Sequence, residues 1–117
     1  MKKIYYLSTC DTCKRILSDL EAPSEFELQD IKTNPLTKDE VEQLQSMAGS
    51  YESLFSKRAR LYKERDLKNK ELKEKDYKDL LLEHYTFLKR PVIVNGQEIF
   101  IGNSKKTVEA AKASLHE

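Results

Sequence analysis

Both cysteines of this chain lie in one stretch, STCDTCKRIL from Ser8 to Leu17, with two residues between them. Their surroundings constrain the fold more than any other feature. Lys3 to Leu7 is a short β-branched and aromatic run that predicts a strand. From about Thr12 to Leu20, the apolar residues Ile16, Leu17 and Leu20 recur at helical spacing. The thiols therefore sit at a strand-to-helix turn. Pro23 closes this unit, and the alternation from Phe26 to Leu28 predicts a second strand. A strand, a helix and a strand in that order can form a right-handed parallel unit.

Further along, Asn34-Pro35-Leu36-Thr37 is followed by Glu40, three residues after the threonine. This capping box opens a helix through Val41, Leu44 and Met47 that stops near Gly49. From Tyr51 to about Tyr85 the chain is highly charged, with a scattered apolar minority and no single period. It reads as two or three short helices, with Lys68 to Lys75 as an exposed linker or helix end. Asn95-Gly96 between two β-branched runs is the strongest hairpin signal. Ser104 then caps a last helix through Val108, Ala111 and Leu115. A mixed four-stranded sheet with flanking helices on both faces buries these stripes economically. Alternating β and α elements with a CxxC at the first turn form the pattern of a thioredoxin-like α/β fold.

The 117 residues suit a single domain, 1–117, with a modest core. Hydrophobic residues make up 38% and charged residues 35%, so the surface is strongly ionic. The net charge of +1 supplies no global field for nucleic acid or an anionic membrane, and neither partner is expected. No apolar run reaches the length of a membrane span, and the apolar start is too short for a secretory signal. The expectation is a cytoplasmic protein, where ordinary thiols stay reduced and a cysteine pair points to reactivity.

Two such thiols can form a redox disulfide, hold a metal or pack in a core. Unpaired N–H groups and the positive dipole end of the helix favour a thiolate at Cys10. Such placement brings a cysteine from about 8.5 to roughly 3.5–7.5. Cys13, one turn on, is expected to be more buried, less ionised and within disulfide range. Cys10 is then the nucleophile and Cys13 resolves the mixed disulfide. A structural zinc needs about four ligands, and only His84 and His116 remain, neither at zinc-finger spacing. A soft-metal carrier fits poorly with a hard Asp11 between the thiols and no nearby methionine. Purely structural cysteines remain an alternative, since small thiols are common in cores.

Pro91 can open a strand without losing a ladder donor. Thioredoxin-like folds hold such a proline in the cis form facing the active cysteine, which makes a cis Arg90–Pro91 bond one expectation and a trans proline that merely starts the strand the other. The Arg90 guanidinium could then lie over the Cys10 turn, stabilising a thiolate and offering a fork to an oxyanion. Lys57, Arg58 and Arg60 form a second basic cluster, the ordinary reading of which is a solvated helix face.

Four segments together resemble a known family. They are YYLSTCDTCKRIL at the first turn, DIKTNPLTKDEV from Asp30, LFSKRARLY in the helical block and LKRPVIVNGQEIFIGNS near the end. In this order and spacing they are similar to the ArsC/Spx-like branch of the thioredoxin superfamily. That branch contains glutaredoxin-linked arsenate reductases and the Spx transcriptional regulators. The resemblance implies a helical insertion over about 37–86, Cys10 as the reactive thiol and Arg90 beside a cis Pro91. The arginine that such reductases carry in the helical block falls on Ser56, with Arg58 close by. A CxxC is shared with Spx, where it serves as a redox switch.

The preferred expectation is a thiol-dependent oxidoreductase similar to arsenate reductase. Cys10 attacks, Cys13 resolves, and Arg90 with Arg58 steadies a small oxyanion or thiol substrate. Thr12 and Pro91 would line the substrate site, with Asp11 and Thr12 placed to bond the thiolate loop. No bound cofactor or metal is implied; glutathione, glutaredoxin or thioredoxin would supply reducing equivalents as a redox partner. The alternative is an Spx-like redox-sensing regulator that binds RNA polymerase.

Overall fold

A computed structural model describes all of residues 1–117 as two compact units. One comprises Met1–Asn34 and Arg90–Glu117, the other Pro35–Lys89.

In the first unit, β1 (Lys2–Tyr6) leads into α1 (Asp11–Leu20), then β2 (Glu27–Asp30). The second strand thus begins one residue later than the alternation suggests and extends through Asp30. After the other unit come β3 (Val92–Asn95), β4 (Glu98–Ile101) and α5 (Lys105–Leu115). The strands form one mixed sheet in the order β2-β1-β3-β4. β1 pairs parallel with β2 and antiparallel with β3, and β3 pairs antiparallel with β4. This is the thioredoxin-like arrangement.

Two helices close over one face of the sheet. Ile4 and Ile93 from the strands meet Ile16 and Leu20 of α1, Val108, Ala111 and Leu115 of α5, and Phe26. Each large side chain fully buried here contributes about 1.5–3 kcal/mol of transfer free energy. The alternate residues Tyr5, Val92 and Val94 are buried as well, so β1 and β3 are enclosed on both faces, as central strands require.

Polar links tie the helices to the sheet. Asn95 Nδ2 donates to Ser114 Oγ at 2.9 Å, and Ser114 Oγ donates to Glu98 Oε1 at 2.8 Å. His116 Nε2 donates to the Leu20 carbonyl at 2.7 Å, satisfying one orphan acceptor at the end of α1. The hairpin turn is Gly96-Gln97, because Asn95 still pairs with Glu98. Gly96 has φ 63° while Gln97 has no positive φ, the pattern of a type II′ connection. Asn95 is thus a strand residue whose amide faces α5, not a turn residue.

The second unit contains α2 (Lys38–Ala48), α3 (Arg60–Glu64) and α4 (Glu74–Glu83), with 3₁₀ turns at 52–54, 67–69 and 85–87. The capping box at α2 is reciprocal: Glu40 N donates to Thr37 Oγ1 at 3.1 Å, and Thr37 N donates to Glu40 Oε1 at 3.0 Å. Gly49 ends α2 at φ 95°. The core of this unit joins aliphatic residues such as Val41, Leu44, Leu54 and Leu88 to an aromatic cluster. Phe55 meets Phe87, Tyr77 and Tyr62 at centroid distances of 5.2, 4.9 and 5.8 Å. Backbone bonds Ser56 N to Phe87 O (2.7 Å) and Lys89 N to Leu54 O (2.8 Å) tie the segment after α2 to the end of this unit. The charged stretch therefore makes one ten-residue helix and several single turns, its order set by rings instead of a long apolar stripe.

Candidate active site

The thiols stand where β1 hands over to α1. Cys10 is the N-cap, with extended backbone (φ −100°, ψ 111°), and its carbonyl accepts the first helical bond from Lys14 N at 3.1 Å. Its own N–H donates to the Leu7 carbonyl at 3.0 Å, closing the loop of residues 7–10. The sulfur makes no conventional cap hydrogen bond. The dipole and first-turn N–H groups of α1 nevertheless face this position, and the Cys13 N–H acts on the Cys10 sulfur.

Cys10 and Cys13 are free thiols, Cys10 half-buried and Cys13 with no exposed surface. Burial of the Cys10 sulfur opposes its ionisation. The Cys13 backbone N–H, the Cys13 thiol and the Arg90 guanidinium favour it, and together they prevail, holding Cys10 below the ordinary thiol value. Burial drives Cys13 the other way, up to about 11, and its contact with the Cys10 sulfur adds to the rise. The backbone N–H of Leu7 and the Arg90 charge offset only part of this. The two sulfurs are thus pushed in opposite directions, Cys10 towards the thiolate and Cys13 towards the protonated thiol.

Arg90 reaches Cys10 from the chain entering β3. The Arg90–Pro91 peptide is cis, and Pro91 is buried at the head of that strand. The Pro91 carbonyl accepts from Gly102 N at 2.9 Å, which fixes the strand start against the end of β4. Thr12 is half-buried and Asp11 exposed in the first turn of α1. Cys10, Cys13, Thr12, Arg90 and Pro91 therefore belong to the same compact unit. Arg58 lies in the other unit, exposed, its N–H donating to Ser56 Oγ at 3.3 Å. His84 and His116 are occupied structurally, His84 Nδ1 accepting from Thr86 N and His116 holding Leu20 O.

One residue beside this loop escaped sequence reasoning. Asp30 ends β2, and its Oδ2 accepts the Ser8 hydroxyl at 2.5 Å while its Oδ1 accepts Ser8 N at 3.3 Å and Lys32 N at 3.2 Å. The Ser8 hydroxyl is the leading reason its carboxyl titrates below the usual range. Only the parallel register, in which Tyr6 faces Asp30, brings it to the loop.

The model of the ArsC family matches residues 5–111. The chain belongs to the ArsC family. A curated relative, the global transcriptional regulator Spx of Streptococcus pyogenes serotype M1, is 25% identical over 112 residues, covering 94% of this chain and 84% of that protein. The fold is also that of an arsenate reductase from Vibrio cholerae, at TM-score 0.76 and 19% identity with 97% of each chain covered. A Staphylococcus aureus COL protein solved in solution is 28% identical at TM-score 0.72, covering 94% of this chain and 97% of that one. The ArsC-family chain has no helix long and apolar enough to cross a membrane.

Proposed function

We propose that this ArsC-family chain is a thiol-dependent oxidoreductase of arsenate-reductase type, with Cys10 as nucleophile and Cys13 as resolving thiol. What carries this reading is the placement of Cys10, half-buried at the N-cap of α1, with the enclosed Cys13 thiol one turn on and Arg90 acting on both sulfurs. A thiolate is the attacking species, and a guanidinium beside it suits an oxyanion whose charge must be held as the bond forms.

With arsenate, the Cys10 thiolate attacks arsenic and one oxygen leaves as water after protonation, forming an S–As bond. Cys13 then attacks the Cys10 sulfur. The S–S bond forms, the S–As bond breaks, and its electron pair stays on arsenic, which departs as arsenite. Two electrons pass from the two thiols to arsenic. A dithiol protein or two molecules of glutathione then return the disulfide to thiols.

The ionisation pattern supports this order. While Cys10 is an anion, it is one of the causes keeping Cys13 protonated. Once Cys10 is bonded to substrate that contribution vanishes, while the Leu7 N–H and Arg90 still favour the Cys13 anion. Burial, the largest cause of the rise, persists, so the loss of the Cys10 charge eases the ionisation of the resolving thiol only in part. Thr12 and Pro91 would line the substrate site.

The test is arsenate-dependent thiol consumption by the purified chain with glutathione plus glutaredoxin, and separately with thioredoxin. Turnover with either, lost in Cys10→Ser, is expected; no turnover with any reductant removes the reading. A second reading, a redox-sensing transcriptional regulator that binds RNA polymerase, draws on the likeness to Spx. Polymerase retention that changes with the disulfide state, without turnover, would favour it.

A further inference from the structure

We propose that Asp30 is a positioning residue for the Cys10 sulfur, acting through Ser8 and the loop of residues 7–10; the inference rests on the reading of Cys10 as the reacting thiol. Asp30 could be a simple turn residue, since its Oδ1 accepts Lys32 N and its carbonyl accepts Asn34 N at 2.9 Å. A turn needs only those bonds. The second oxygen, Oδ2, is committed to the Ser8 hydroxyl at 2.5 Å, across the sheet from the turn. Ile31 N donates to the Tyr6 carbonyl at 2.9 Å, so the ladder continues to the point where the carboxylate takes over.

Ser8 is well placed to transmit this hold. On one side is Leu7, whose carbonyl takes the Cys10 N–H and whose N–H acts on the Cys13 sulfur. Thr9 and Cys10 follow on the other side. Fixing Ser8 thus fixes the peptide that addresses both sulfurs, and with it the approach of Cys10 to Cys13 and Arg90. The direction of the effect separates this role from simple charge. As a bare anion, Asp30 would disfavour a neighbouring thiolate, and removing its charge would make Cys10 easier to ionise. As a tether it does the opposite: its loss lets the loop drift from the groups that stabilise the thiolate.

The experiment follows Cys10 alkylation by iodoacetamide across pH, read site by site by mass spectrometry, in the full chain and in Asp30→Asn and Ser8→Ala. Both variants are expected to move the Cys10 profile to higher pH, slowing the reaction at pH 7 about threefold or more while the high-pH plateau stays unchanged. Asp30→Asn in the Ser8→Ala background should add little, as expected for residues acting as a unit. A shift to lower pH in Asp30→Asn, or a profile unmoved in Ser8→Ala, overturns the proposal. Should circular dichroism show Asp30→Asn unfolded, Ser8→Ala alone decides. Arsenate turnover of the native chain is scored separately, so its absence removes the reductase reading without touching the alkylation result.

Discussion

Cys10 and Cys13 occupy the N-cap and the third position of one helix, yet they ionise on opposite sides of the ordinary thiol value. Helix geometry alone gives them nearly the same dipole. The difference comes from burial, which is complete for Cys13, and from the Arg90 charge and the Cys13 donors directed at Cys10.

Arg90→Gln should therefore weaken the nucleophile. Removing the cation takes away one of the contributions lowering Cys10, so its thiolate fraction at pH 7 falls and alkylation slows by roughly threefold or more. Arg90→Lys should recover part of the rate, since a point charge replaces the planar fork. Equal rates in all three proteins would show that the guanidinium does not act on the sulfur.

Alkaline pH should separate the two thiols and also loosen the fold. Cys13 is held protonated in the native state, so the native chain retains a proton that the unfolded chain gives up. Its contribution is present below the ordinary thiol value and is lost as pH rises towards about 11. Urea midpoints should fall over that interval, and less so in Cys13→Ala. Selective labelling should meanwhile modify Cys10 well before Cys13 at neutral pH.

Leu20→Ala should destabilise the sheet unit by about 2–5 kcal/mol, because Leu20 is fully buried among Ile4, Phe26 and α5. Denaturant unfolding gives the value. A loss below about 1 kcal/mol would mean that this cluster is far looser than its burial indicates.

Gly96→Ala tests the hairpin. A β-carbon at Gly96 would meet nothing within 4 Å, so crowding contributes nothing. The left-handed φ of 63° remains, and it should cost about 1–2 kcal/mol. Thr37→Ala, removing the side-chain half of the α2 capping box, should cost about 1 kcal/mol by the same measurement.

Much of this architecture was readable locally. Thr37 and Glu40 announce their helix because a capping box is four residues long, and Ser104 does the same for α5. The Cys10 turn was legible because a strand signal and a helix signal meet there. The hairpin was found but displaced by one residue, since Asn-Gly is read as a turn pair whatever the register, and here Asn95 stays in the ladder to reach Ser114. The aromatic block from Tyr51 to Tyr85 resisted division into elements because Phe55, Tyr77 and Phe87 are brought together by packing, not by a period. Asp30 was invisible as a site residue for a related reason. Its partner Ser8 is 22 positions away, and only strand pairing makes them neighbours.

The complete enclosure of Cys13 has a consequence for oxidative damage. A peroxide can approach only the half-buried sulfur of Cys10, and the sulfenic acid it leaves there has a second thiol one helical turn away. Condensation to the disulfide, with loss of water, competes with a second oxidant molecule. The helix thus carries its own guard against irreversible sulfinic acid.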